Sequence, residues 1–569
     1  MRILFLTRSF NGLTQRLYLE LAARGHELSV EFDIADSVTE EAVALFRPAL
    51  VIAPFLRRAI PESVWRRVPC LVVHPGVVGD RGPSALDWAI MDGEREWGVT
   101  VLQAIAELDA GPVWASESFA MRPAPKSSLY RREVTDAAVR AVLAALRRFE
   151  AGSGPLLPAP SPGRWRPLMT QAQRRIDWQR DDTATVLRKI RAADGAPGVL
   201  DALLGVPCHL FDAHPESLPP SSHAPGDVIA RRDDALLRTT VDGAVWIGQV
   251  RRADVERGIK LPTALALANE AQAIPEWSLA IDAPEDVGWR EIRHEVADGV
   301  GYLHFDFHNG AMSARQCERL ADALRVALGG PERVLVLMGG QEFWSNGIHL
   351  NVIEGADSPA DESWRNIQAI DDVTRALIEA TDRLVIAALH GNAGAGGAFM
   401  ALAADRIWAH GAVVLNPHYK NMGNLYGSEY WTYLLPRRLP PERAAAVMQA
   451  RLPLAAADAL RLGLLDAVFG DGRADFAAQV RARARALAAG PEIGDLIAAK
   501  RRGRRDDEAI RPLAGYRADE LAQMQRNFYG FDTSYHVARS NFVHHVAPSW
   551  TPRHLCVHRR IAPPQKGTR

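Results

Sequence analysis

The stretch from Leu389 to Asp405, LHGNAGAGGAFMALAAD, constrains this chain more than any other. It follows an apolar run of strand character, Leu384 to Ala388, and passes into an Ala/Leu-rich segment of helical character. Gly391, Gly394, Gly396 and Gly397 stand at that junction. Glycines there let backbone N–H groups approach an anionic or polarised oxygen, which the start of a helix favours. A glycine-rich turn on its own also serves as a plain tight corner. The context narrows the reading. Upstream, Arg333 to Gly340 reads RVLVLMGG and Phe343 to Leu350 reads FWSNGIHL, so a second apolar run also ends in glycines.

At 569 residues the chain exceeds what one core can organise, and three or four domains are expected. A hydrophobic fraction of 47% with 24% charged residues fits a soluble globular protein. The net charge of −1 provides no bulk field for nucleic acid or an acidic membrane. Cys70, Cys208, Cys317 and Cys556 are scattered, with no Cys-x-x-Cys pair. That spacing argues against a zinc knuckle and a disulfide framework, so reduced core thiols and no metal are expected. The opening MRILFL reads as a first strand, and no run reaches the ~20 apolar residues of a membrane span. The expected location is cytoplasmic.

Residues 1–150 alternate apolar strands (Arg2–Leu6, Glu27–Glu31, Leu50–Ala53, Leu71–Val73) with amphipathic stretches such as Thr14–Arg24. This order predicts an α/β domain with a parallel sheet and helices on both sides. The turn Arg8, Ser9, Phe10, Asn11 after the first strand lies where open parallel sheets bind ligands. A Pro/Ser/Gly-rich linker, Gly152 to Pro167, marks a boundary. A small β domain is expected over 168–272, with a helix at Ala184–Ala193 and strands Leu236–Val241 and Val245–Arg251 around an Asp242-Gly243 turn. A second boundary falls between Pro275 and Val287. Another α/β domain is expected over 276–485 and a helical extension over 486–569. The run Lys500 to Arg505 reads as a solvated helix end, with contact to phosphates or a partner as the alternative.

Three clusters in the first domain, VHPG at Val73–Gly76, WGVT at Trp97–Thr100 and LDAGPV at Leu108–Val113, resemble the 10-formyltetrahydrofolate-dependent formyltransferases. The resemblance implies a folate substrate, 10-formyltetrahydrofolate, with His74 and Asp109 as the catalytic pair and Asp80 among the folate contacts. The family's asparagine is replaced by Val72. The 168–272 unit is similar to the small OB-like C-terminal domain of those enzymes.

The two glycine-bearing loops resemble the crotonase (enoyl-CoA hydratase/isomerase) superfamily, whose fold is an α/β spiral. That likeness implies coenzyme A, with the thioester carbonyl held by the N–H groups of Ile348 and Gly396. It also implies that Phe305, Asn309, Gly340, Trp344, Asn346, Gly347, His349 and Gly397 line the CoA site, with adenine near Asn346 and His349. Hydration needs two carboxylates, but Phe399 and the Asn416-Pro417-His418 turn stand where the hydratases carry them. Tyr419 and Glu429 are the remaining polar candidates. Ser428 reads as an N-cap, placing Glu429 in the first turn of a helix. There the dipole favours the ionised carboxylate while Tyr430 and Trp431 oppose it, a balance the sequence leaves open. Phe399, Trp344 and Trp431 are expected to form a water-excluding wall.

The union of both halves, with HPGVVGDRGPS at His74–Ser84, NFYG at Asn527–Gly530 and SYH at Ser534–His536, resembles the HoxX-type maturation factors of [NiFe]-hydrogenases along the whole chain. The implied activity is formyl transfer from 10-formyltetrahydrofolate to CoA, then decarbonylation of formyl-CoA to CO and CoA. The implied partners are the hydrogenase large subunit or its assembly proteins. Two other classes stay open: a hydrolase, thioesterase or isomerase that releases formate, and a non-catalytic delivery scaffold.

Overall fold

The computed structural model describes residues 1–157, 163–218, 223–285 and 288–560. Residues 158–162 of the expected linker and 286–287 of the second boundary lie outside the described residues. The chain forms two compact units. The first holds residues 1–177, 184–201 and the segment from Ala547; the second holds 178–183 and 202–546.

The first unit is built on β1 (Arg2–Thr7), β2 (Glu27–Phe32), β3 (Leu50–Phe55), β4 (Cys70–His74), β5 (Glu96–Gln103) and β6 (Val113–Ala120). Their order in the sheet is β2-β1-β3-β4-β5-β6. Ile3, Leu4, Phe5 and Leu6 are all buried, as expected of a strand covered on both faces. The expectation of a parallel sheet holds only for the first four strands; β5 runs antiparallel to β4 and to β6. Residues 104–112 between β5 and β6 are too few for a crossover helix, which forces that pair to be antiparallel. The first helix runs Gly12–Ala23 and is capped by Asn11, whose Oδ1 accepts from Thr14 N at 3.0 Å.

β2 is an edge strand, and the tail covers it. Val30 N donates to Leu555 O at 3.0 Å and Phe32 N to Thr551 Oγ1 at 2.8 Å. Glu31, fully buried between them, meets His558 Nε2 at 3.0 Å, Arg559 Nε at 2.8 Å and the Thr551 hydroxyl. The expected 486–569 extension is therefore divided: its helices up to Val543 belong to the second unit. Burial alone raises the Glu31 pKa, but the hydrogen bonds from His558, Thr551 and Arg559 outweigh it and hold the carboxyl below its usual range. Its contribution is thus present above the unfolded glutamate pKa of about 4.3 and lost as pH falls through the lower folded value. Glu31→Ala leaves the Arg559 charge uncompensated and the His558 and Thr551 bonds unmade, and is expected to cost about 3 kcal/mol at neutral pH. Denaturant melts at neutral pH and near pH 3 check this: the deficit should shrink at the acid end.

The second unit opens with an antiparallel sheet in which Val206–Glu216, Ala244–Arg252, Ala235–Thr239 and Val228–Arg232 are successive neighbours. The Asp242-Gly243 hairpin forms as expected, with Thr239 opposite Ala244. Next comes a sheet of Ile292–Ala297, Val300–Phe305, Val334–Gly339, Leu384–Leu389, Arg406–Ala409 and Ala467–Val468, parallel after its first pair. Three of these strands are each followed by a strand of a smaller sheet: Phe343–Ser345, Asn392–Gly394 and Val414–Asn416. Each turn of the chain thus contributes to both sheets, the spiral expected. Helices Ala314–Leu328 and Pro359–Glu379 pack together, and Leu513–Tyr529 lies against the latter.

The basic run meets its expectation in part, since Arg501, Arg502 and Arg505 are exposed. It lies within helix Ile493–Ile510, and Lys500 is no solvated end: its Nζ donates to Asp405 Oδ2 at 2.6 Å and to Arg383 O at 3.0 Å. Among the described residues no helix is long and apolar enough to cross a membrane.

Candidate active site

In the first unit, β4 ends at His74, which stands opposite Thr100 on β5. Trp97 Nε1 donates to Pro75 O at 2.9 Å and Thr100 Oγ1 to Gly76 O at 2.8 Å, fixing the turn behind the imidazole. The ring lies between two carboxylates. Its Nε2 is 3.0 Å from Asp80 Oδ2 and its Nδ1 is 3.5 Å from Asp109 Oδ1. Asp109 has a left-handed backbone (φ 55°), and its Oδ2 accepts from Gly82 N at 3.3 Å. Asp80, expected as a folate contact, is instead buried behind His74 and orients it. Val72 is two residues back on the same strand and so shares the His74 face with an apolar side chain. In the turn after β1, Asn11 is committed to capping and Phe10 packs edge-on against Tyr18 at 5.6 Å, while the Arg8 backbone N–H bonds Phe55 O. The Ser9 carbonyl accepts from the Thr7 hydroxyl at 2.9 Å.

In the second unit, the two glycine-bearing loops face one another. A Cβ on Gly347, whose φ is 80°, would stand 3.1 Å from Gly396 N. Gly396 is the first residue of helix Gly396–Leu402, so its N–H has no intrahelical acceptor. Ala395 ahead of it is held at φ 43° and its N–H bonds Asn416 O at 2.9 Å, strained backbone at the mouth of the turn. Ile348 is paired with Met312, and Asn366 fastens this loop by donating to Met312 O at 2.8 Å and accepting from His349 N at 3.0 Å.

The acid positions of the hydratases carry no carboxylate here, and Phe399 stacks on Tyr419 with ring centroids 5.2 Å apart. Tyr419 hydroxyl donates to Glu429 Oε2 at 2.5 Å, and Ser428 N donates to the same oxygen at 3.1 Å. Glu429 Oε1 points the other way: a Cβ at Gly396 would collide with it. The carboxyl thus reaches the oxyanion turn.

The expected N-cap is wrong. The helix here is only Trp431–Leu434, and Glu429 and Tyr430 precede it in left-handed conformation, both at φ 58°. Two buried carboxylates impose this turn. Asp371 Oδ1 accepts from Glu429 N at 2.8 Å, and Glu520 accepts from Tyr430 N at 2.9 Å and Thr432 N at 2.8 Å. With no dipole acting on Glu429, burial decides its titration: desolvation first, then the nearby Glu520 charge, push its pKa up to about 7 against the Tyr419 hydrogen bond. Burial, and then the Glu429 charge, raise Tyr419 well above its usual value, keeping it a proton donor.

Other expected CoA contacts divide. Asn346 donates to Asn309 O at 2.8 Å, and both residues stay exposed. His349 is buried, with Nδ1 accepting from Val352 N at 3.2 Å, and burial lowers its pKa to about 4. Its side chain is a neutral helix cap. Trp344 is core: its Nε1 donates to Gly397 O at 3.0 Å and its ring meets Phe305 at 5.1 Å. Trp431 packs against Tyr426, and it lies against the same buried core that holds Phe399 and Trp344. Gly340 donates its N–H to Phe343 O at 3.1 Å, closing the turn before that loop. Asp371, Asn366 and Glu520 were missed from sequence. Their signal is a polar side chain on the apolar stripe of a helix: Asp371 among Ile367, Ile370 and Thr374, and Glu520 in line with Met524 and Phe528.

Comparison with known proteins matches three families: formyl transferase over residues 29–146, formyl transferase C-terminal domain over 168–257, and enoyl-CoA hydratase/isomerase over 295–536. The last extends past residue 485 and includes Glu520. A hydrogenase maturation factor HoxX from Bradyrhizobium diazoefficiens is 55% identical, covering 99% of this chain and 98% of its own length. The crystal structure of HypX from Aquifex aeolicus in complex with tetrahydrofolic acid superposes with a TM-score of 0.95 at 48% identity, covering 99% of both chains. A methionyl-tRNA formyltransferase from Syntrophus aciditrophicus is 25% identical over 44% of this chain and 84% of its own.

Proposed function

Because this chain belongs to the HoxX family of hydrogenase maturation factors, we propose that it makes carbon monoxide for a hydrogenase iron centre from 10-formyltetrahydrofolate, with CoA as the carrier. The observation that carries the reading is Glu429 Oε1 beside the Gly396 turn, at the place where the hydratase acids are absent. In the first unit His74, oriented by Asp80, takes the proton of the CoA thiol as sulfur attacks the formyl carbon. Asp109 stabilises the imidazolium, and the proton ends on the folate N10 as the C–N bond breaks. An apolar Val72 in place of an amide suits a thiol acceptor.

In the second unit Ile348 and Gly396 N–H groups hold the formyl-CoA carbonyl. Glu429 Oε1 accepts the formyl proton; the C–S bond breaks with its electron pair on sulfur, and CO leaves. The proton returns to the thiolate from the Glu429–Tyr419 pair, so CoA is regenerated and no other reactant is consumed. Asn309 and Asn346 are the polar groups left for the body of the CoA.

The test supplies formyl-13C folate and CoA, and reads the gas phase by infrared and the solution by NMR. Label in CO, with CoA needed only in catalytic amount, is the expected result. Label recovered solely as formate would overturn the proposal in favour of a hydrolase.

A further inference from the structure

The turn that presents Glu429 rests on one hydroxyl. Ser428 Oγ lies 2.9 Å from Asp371 Oδ2 and 3.2 Å from Glu520 Oε2. A serine hydroxyl has a single hydrogen and can serve only one of these oxygens. If both carboxyls were ionised, two anionic oxygens would crowd one donor in a fully buried site. One acid must therefore hold a proton and donate it to Ser428 Oγ.

The remaining contacts say which. Glu520 is surrounded by donors: Tyr430 N at 2.9 Å on Oε2, and Thr432 N at 2.8 Å and Thr432 Oγ1 at 2.6 Å on Oε1. A carboxylate so supplied is stabilised in its charged form. Asp371 has one strong backbone donor, Glu429 N on Oδ1, while its Oδ2 has only Ser428 Oγ and Arg517 Nε at 3.9 Å. Arg517 itself is taken by Asp372 at 2.5 Å.

We infer that Asp371 is a neutral carboxylic acid whose O–H donates to Ser428, that Ser428 donates to an ionised Glu520, and that this chain is the positioning device for Glu429. The inference rests on the proposed role of Glu429. Burial first, then the charges of Glu429 and Glu520, drive Asp371 well above the ordinary carboxyl range, whereas at Glu520 the donors offset burial in part and leave it at about 7, so at mildly alkaline pH Glu520 is the charged member. The titratable and charged groups facing Glu429 are Tyr419 on its own loop, Asp371 with Arg517 behind it, Glu520, and the Cys317 thiol from helix Ala314–Leu328. None of them is a cation in hydrogen-bond contact with the Glu429 carboxyl. Its proton affinity is then raised by burial and by the one charge on Glu520, against the hydrogen bonds from Tyr419 and Ser428 N. A proton lodged on Asp371 keeps that residue from adding a second.

Two substitutions separate the members. Asp371→Asn can keep both bonds, its oxygen accepting from Glu429 N and its amide donating to Ser428 Oγ. Glu520→Gln cannot, since each of its oxygens faces a backbone N–H, Tyr430 N on Oε2 and Thr432 N on Oε1, so an amide nitrogen at either place meets a donor. Infrared difference spectra of the substrate-free protein at mildly alkaline pH should show a protonated-carboxyl C=O band that is lost in Asp371→Asn. The same band in wild type and Asp371→Asn alike would overturn the assignment, and this readout needs no turnover, so it stands even if CO is not the product. In Glu520→Gln the pH at which CO release is half-maximal should move down, on the order of one unit, because the like charge that raises Glu429 is gone. An unmoved or upward-shifted profile would show that Glu520 is not the charged member.

Discussion

Glu429→Gln is expected to lower CO release by two or more orders of magnitude, about 3 kcal/mol in the barrier. The substitution preserves shape and removes only the ability to accept a proton at Oε1, the oxygen that faces the Gly396 turn. Tyr419→Phe should cause a loss of similar order, since the hydroxyl 2.5 Å from Oε2 both fixes the carboxyl and supplies the proton that sulfur needs. Formyl-CoA supplied directly isolates this step. The wild-type rate should also carry an acid limb. A base whose pKa is raised to about 7 is protonated and idle below that value, so CO release should climb as pH rises through it. Release at the parent rate from Glu429→Gln would remove Glu429 from the mechanism.

His74→Ala should reduce tetrahydrofolate formation by two to four orders of magnitude, the usual range for a lost general base. The loss should be confined to the first half-reaction: preformed formyl-CoA should still yield CO, because Tyr419 and Glu429 are untouched. An equal loss with formyl-CoA as substrate would show that the substitution damages the whole protein rather than the transfer chemistry. Asp80 loses its hydrogen-bonded imidazole in this variant, so a lowered melting temperature is expected alongside, and circular dichroism at the assay temperature reads the folded fraction.

Much of this was legible in the residues. Short apolar runs bounded by turns located the strands β1 to β4, because a strand covered on both faces must be apolar throughout. His74, Asp109 and Gly396 could be found because local motifs set them. The direction of β5 and β6 was not legible: strand direction depends on how the chain returns, not on the strand's own composition. The failure at Ser428 has another cause. Ser before an acidic residue satisfies the local rule for a helix start, but Asp371 and Glu520, 57 and 92 residues distant from Ser428, supply the turn's acceptors instead. Tertiary hydrogen bonds overrode a local preference that is worth only ~1 kcal/mol. His349 and Trp344 show the converse: residues at matching positions in a family's loop were absorbed into capping and packing.

The tail that covers β2 bears on how the protein is made. A ribosome delivers β2 more than 500 residues before Thr551, and until then the outer edge of the first sheet is open, with Glu31 lacking its partners. Nascent domains ordinarily settle in the order they emerge. Here a domain whose strands emerge early is finished only when residues 551–559 arrive, and until then it displays an unpaired strand edge, the surface on which chains misassociate. Translation of the long crotonase-like segment sets the length of that interval.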